Sequence, residues 1–151
     1  MMEHRHDPQP GRGLVYTLPA VAAAALLAKL NIAYLYEINW DEFLFLSQVH
    51  DYLRGQLAGA FQTFHVHFFG WLVGMGGEID QIRTGRRVMV ALQAGTGFLL
   101  YRIGRRFCSA PAALFAVLLY FSVHNVLLLG ADFRADPIAT LLLVLCLERV
   151  L

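Results

Sequence analysis

"FQTFHVHFFGWLVGMGG", residues 61–77, decides how many times this chain can cross a membrane. At about 1.5 Å per residue, a helix over this stretch barely reaches the roughly 30 Å of a hydrocarbon core. His65, His67 and four glycines make it a poor apolar span. Neighbouring charge separates the two readings. If the stretch crosses, Arg102, Arg105 and Arg106 fall on the opposite side from the tail that bears Arg5 and Arg12. If it lies in the interface, the tail and that cluster share one side, as the positive-inside rule prefers. The same choice puts Asp41, Glu42, Asp132 and Asp136 together on the other, outer face. The interfacial reading is therefore the expectation.

Composition places the whole chain in the membrane class. Hydrophobic residues make up 58% and charged residues only 15%, with a mean hydropathy of +0.53, far from the balance of a soluble domain. The net charge of +1 hides a segregation by sign along the chain, which makes nucleic acid a poor partner. Cys108 and Cys146 lie in apolar runs without metal-ligand spacing and read as small buried hydrophobes.

Outward from the deciding stretch, four apolar runs read as spans. After a cytoplasmic tail, residues 1–13, comes "LVYTLPAVAAAALLAKLNIAYLY" over 14–36, where Lys29 and Asn31 predict a side facing protein. A cleaved leader competes for its Ala-rich part, but the run continues through Ile32, Tyr34 and Tyr36. Further spans are expected over about 86–103, between arginines, and about 110–130, where His124 reads as a packed, hydrogen-bonded histidine. The last, over about 137–151, is short of a full crossing at about 22 Å.

Between the first two spans the spacing predicts a pair of outer interfacial helices, over about 41–55 and 64–77. In the first, Asp41, Ser47, Gln48, Asp51 and Arg54 form a polar side, and Phe45, Leu46, Val49, Tyr52 and Leu53 an apolar one. The expected fold is thus an all-α integral membrane domain over 14–151 with about four transmembrane helices. Its amino terminus is cytoplasmic.

The candidate chemistry sits in the outer-face polar groups. Asp41 and Glu42 could simply mark the aqueous end of a span, and Arg86 and Arg87 could be interfacial anchors. His65 and His67, at i and i+2, point to different faces of a helix and are poorly placed to chelate a metal. Trp40 and Trp71 read as membrane-belt residues.

The order of these parts resembles the N-terminal portion of the C-superfamily membrane glycosyltransferases, the protein-O-mannosyltransferase and aminoarabinose-transferase relatives. The resemblance runs through "WDEFLFLSQVHDYLRGQ", "FHVHFFGWLVGMGG", "RRVMVALQAGTGFLLYRIGRRF" and "FRADPIATLLLVLCL". The chain departs from that family in having no Pro after the histidines, and relatives continue through many more spans. It would be a truncated form of them.

The resemblance implies transfer of a sugar from a polyprenyl-phosphate donor to a lipid, glycan or protein acceptor, on the outer, periplasmic face of the cytoplasmic membrane. It implies a catalytic site of Asp41, as base or orienting carboxylate, and Glu42, as a partner that supports it or binds acceptor. Arg86 or Arg87 would bind the donor phosphate, and His65, His67, Arg134 and Asp136 would bind acceptor or support the site. No cofactor is required, since arginine can neutralise the phosphate; a divalent metal is compatible with the scheme but not indicated. Two other readings remain: a catalytically silent accessory protein or remnant, and a small transporter-like bundle that uses Lys29, His124 and the acids along a polar path.

Overall fold

The computed structural model describes residues 12–57 and 63–151. The tail with Arg5, and the residues that join the two helices expected at the interface, lie outside the described residues. Among the described residues the chain is all helical, without strands.

Helix α1, Arg12–Leu35, leads through a short extended link into α2, Trp40–Leu53. The link ends where Asn39 caps α2: Asn39 Oδ1 accepts from Glu42 N–H at 3.2 Å, and Glu42 Oε2 accepts from Asn39 N–H at 3.1 Å. This reciprocal box satisfies two of the amide groups that a helix start leaves bare. Glu42, Leu46 and Val49, spaced i, i+4, i+7, then form the buried face of α2.

Helix α3, Thr63–Phe69, runs into a single 3-10 turn at Gly70–Leu72. The expected helix over 64–77 therefore ends early. Gly74 and Gly76 take positive φ, 103° and 82°, and turn the chain toward the next element, a conformation glycine adopts without steric cost. Seven residues of helix reach only about 10 Å, far less than a bilayer core.

Helix α4, Glu78–Phe107, is the spine of the fold; at 30 residues it extends for about 45 Å. It begins eight residues ahead of the expected span, because the polar segment "EIDQIRTG" is helical and turns Gln81, Ile82 and Gly85 inward. Helix α5, Ala110–Ser122, packs along α4, with Ala113 and Val117 buried. The expected third span does not continue straight. At Val123, whose backbone is extended, the chain bends by 80° into α6, His124–Leu128, and a 3-10 turn, Leu129–Ala131. Helix α7, Asp136–Val150, opens with Pro137 and returns along α4. Among the described residues one helix, over Tyr16–Leu35, is alone long and apolar enough to cross a membrane; the bent α5–α6 pair qualifies only when taken together.

The bend explains Lys29. The change to 3-10 geometry leaves carbonyls of α6 outside the regular helical pattern, and Lys29, fully buried on α1, donates Nζ–H to Val126 O and approaches Leu127 O at 3.5 Å. Lys29 thus faces protein, as expected, whereas Asn31 is exposed. Cys108 and Cys146 are exposed rather than buried, and His124 is exposed rather than packed, since the bend carries it to the outside. At the far end of α4, Glu148 of α7 is buried between Arg102 at 2.8 Å and Arg106 at 3.0 Å.

The core at the opposite end joins Leu46 and Val49 of α2, Val66 and Phe69 of α3, Ile82 and Met89 of α4, and Phe133 of the loop before α7. Phe133 lies on Gly85 so closely that a Cβ there would meet its ring at 2.3 Å. This contact holds the 132–136 loop, and every group it carries, against the start of α4.

Candidate functional site

Asp41 and Glu42 are neighbours in the chain, but successive helical residues point about 100° apart. Glu42 turns inward and meets Arg86, with relative exposures of 0% and 1%. The pair is bidentate: Arg86 Nε donates to Glu42 Oε1 at 2.8 Å, and Nη2 to Oε2 at 2.6 Å. Arg86 also donates to the carbonyls of Ala33 at 3.3 Å, Tyr36 at 2.9 Å and Glu37 at 2.9 Å, the unsatisfied end of α1. A guanidinium has five N–H groups, and five acceptor contacts surround this one. Cation and helix C-terminus also attract through the helix dipole.

Glu42 is equally occupied. Oε1 accepts from Arg86 and from the Phe133 amide at 2.8 Å; Oε2 accepts from Arg86 and from the Asn39 amide. Asn39 Nδ2 in turn donates to Asp132 Oδ2 at 3.0 Å. Burial and the nearby Glu42 charge push the Asp132 carboxyl up to about 6, against the opposite pull of Arg86, Arg134 and the Asn39 hydrogen bond. One buried carboxylate therefore ties the end of α1, the start of α2, the first half of α4 and the loop before α7 into one unit.

This geometry bears on the roles expected of Glu42 and Arg86. Glu42 has no face open to an acceptor, and Arg86 has no N–H to spare for a phosphate; both are consumed in bracing the fold. Their sequence neighbours remain accessible. Asp41 is half-exposed, and its Oδ2 accepts from Arg134 Nη1 at 3.3 Å; Arg134 Nε donates to Asp136 Oδ2 at 3.1 Å, with Asp136 well exposed. The guanidinium of Arg134 also lies 5.9 Å from the centre of the Phe45 ring. Arg87 is exposed beside Tyr34, 6.0 Å from its ring centre, with Arg83 on the same ring at 5.5 Å. Arg87 and Asn31 border a largely apolar groove of about 320 Å³ between α1 and α4.

The two histidines diverge, as their i, i+2 spacing implies on a helix. His65 is buried among the rings of Phe45, Phe69 and Phe133, with centroids at 5.5, 4.9 and 4.9 Å. Neither ring nitrogen has a partner among the described residues, and burial pushes its pKa down to about 4. His67 points outward and shares a 2.7 Å hydrogen bond with Tyr52 Oη. Among the described residues no group of three or more His, Cys, Asp or Glu side chains is arranged to hold a metal ion.

Asp41, Glu42, Arg86, Arg134 and Asp136 thus gather at one end of the bundle, with His65 directly behind them against Phe133. His67 and Arg87 lie at the same end but outside this hydrogen-bonded set. Two further members, Asn39 and Asp132, were not among the candidates. Asn39 carried a signal: Asn three residues ahead of Glu is a capping-box pattern, which fixes Glu42 as a helix-start residue. Asp132 had no signal beyond its place between the last two apolar runs. No protein-family model, curated protein or solved structure matches this chain.

Proposed function

We propose that the chain is a glycosyltransferase, or the N-terminal portion of one, that takes a sugar from a polyprenyl phosphate and works on the outer face of the cytoplasmic membrane. In this reading α1, α4, the bent α5–α6 pair and α7 cross the bilayer, and α2 and α3 lie on its outer surface. Trp40 and Trp71, both exposed, then sit at headgroup level. Arg102, Arg105 and Arg106 mark the cytoplasmic end.

The observation that carries the proposal is the placing of Asp41. It is an accessible carboxylate, oriented by Arg134 and set on a helix start that the buried Glu42–Arg86 pair immobilises. Asp41 removes or orients the acceptor's hydroxyl proton as the hydroxyl attacks the anomeric carbon. The bond from that carbon to the donor's phosphate oxygen breaks, and the leaving lipid phosphate gains negative charge. Arg87, with Arg83 near it, supplies the cation, because its guanidinium is free of the brace and its groove is apolar enough to receive a lipid chain. Glu42 and Arg86 act only through position.

A transporter-like bundle would need Lys29 and His124 along a polar path. Lys29 is instead committed to the carbonyls of α6, and His124 lies outside. Membranes containing the protein, given radiolabelled polyprenyl-phosphate sugars, should yield labelled acceptor. Asp41→Asn should lower that yield by about 10²- to 10⁴-fold, the usual worth of a general base, with membrane insertion unchanged. Transfer undiminished in the Asn variant removes Asp41 from the chemistry.

A further inference from the structure

Beside the Asp41–Arg134–Asp136 group lies a cleft of about 360 Å³, walled by α4, α5, α6 and the start of α7. Its polar wall consists of Gln93, Tyr120, Asn125, Arg134, Asp136 and Thr140. We infer that this cleft is a binding site for a single uncharged sugar ring. The inference rests on the transferase reading for its biological role, and on the lining alone for its ligand.

Charge excludes other occupants. Arg134 would welcome a phosphate, but Asp136, 3.1 Å away, would repel it; Asp136 would welcome an amine that Arg134 opposes. A neutral ligand pays neither penalty. Unspent hydrogen-bonding capacity then points to hydroxyl groups, each of which donates and accepts. Arg134 uses Nε and Nη1 within the protein, and no contact engages Nη2 among the described residues. Asp136 uses only Oδ2 among the described residues. Thr140 donates its hydroxyl proton to Asp136 O at 2.8 Å and keeps its oxygen lone pairs for accepting.

Gln93 is the most telling member. The residue is 96% shielded in a helix interior, and its amide oxygen has no partner among the described residues. Leaving a buried amide oxygen unpaired is costly. The amide lies against Gly130, where a Cβ would come within 2.2 Å of Nε2. An amide in the wall of a mixed polar cleft, near Arg134, Asp136 and Thr140, suits a ligand that hydrogen-bonds through hydroxyl groups. The volume is near the low end of the roughly 300–1,000 Å³ of small-molecule pockets, which suits one ring rather than an oligosaccharide. Arg134 joins the cleft to Asp41, so a ring seated here would lie next to the proposed base.

The test is saturation-transfer NMR on the full chain in lipid nanodiscs, with methyl glycosides of hexoses and pentoses as probes. At least one should receive saturation at its ring protons, and Gln93→Leu and Asn125→Ala should each weaken its binding about tenfold. Ser47→Ala, on the outer side of α2, should leave binding unchanged. Asn125 is exposed, so its variant keeps the test open if Gln93→Leu fails to fold. Absence of saturation for every glycoside, or binding that survives both cleft substitutions, overturns the site. Displacement of the glycoside by polyprenyl-phosphate sugar, but not by polyprenyl phosphate alone, assigns the ring to the donor; undisturbed binding assigns it to the acceptor, and both uphold the site. Sugar transfer without glycoside binding discards the cleft alone, whereas glycoside binding without transfer keeps the cleft and discards the transferase reading.

Discussion

One peptide bond separates Asp41 from Glu42, and one separates Arg86 from Arg87, yet each pair divides between two regions that obey different rules. Glu42 and Arg86 lie in a brace in which both charges are buried and the hydrogen-bonding capacity is filled. Asp41 stands on a rim where contacts are longer, partners are shared and water has access. The difference teaches that residue type alone does not mark a reactive group. A charge saturated by its own fold can hold a site in place, and one left partly unsatisfied is available to a ligand.

The hardest test of that division removes one partner from the brace. Arg86→Met leaves Glu42 buried without its cation, and Glu42→Gln leaves Arg86 without its anion. Each should destabilise the fold by about 3–5 kcal/mol, the usual cost of an orphaned buried charge. Thermal unfolding in detergent should show a large drop for either variant and almost none for Asp41→Asn. A loss below about 1 kcal/mol for Arg86→Met would mean that the pair is hydrated, and the contrast between brace and rim would collapse.

A subtler test uses pH, because two buried groups behind the rim pull in opposite directions. His65 titrates near 4 in the fold against about 6.5 unfolded, so the unfolded chain binds more protons between those values and stability rises with pH. Asp132 titrates near 6 against about 3.8 unfolded, so the fold binds more protons there and stability falls as pH rises. Between about pH 4 and 6 the two slopes offset each other. His65→Phe should therefore make the melting temperature fall as pH rises across that range, and Asp132→Asn should make it rise. Profiles for both variants parallel to the parent chain would show that neither group is desolvated as its burial implies.

Much of this arrangement was legible in the sequence because it follows from local pattern. Apolar runs and helical spacing mark α1 and α2, and the acids of residues 41–42 and 132–136 do meet at one bundle end. What escaped depended on contacts between distant segments. "EIDQIRTG" is polar enough to read as a loop, and it becomes the first turns of α4 because Ile82 and Gly85 pack on the core around Phe133. The bend at Val123 leaves no proline or glycine as a marker. Arg86 and Arg87 are the same side chain in adjacent positions, and only the direction from α4 to the end of α1 decides which one is consumed.

The smallest effect is expected where the rim is cut at its own centre. Arg134 bridges Asp41 and Asp136 at the surface, and exposed ion pairs contribute at most about 1 kcal/mol. Arg134→Gln should accordingly melt within a few degrees of the parent chain, and its melting temperature should respond little to added salt. The bridge nevertheless fixes where the Asp41 carboxylate points, so transfer of labelled sugar should fall while stability does not. If Arg134→Gln instead melts as low as Arg86→Met, the rim is part of the brace, and Asp41 is a structural residue like its neighbour.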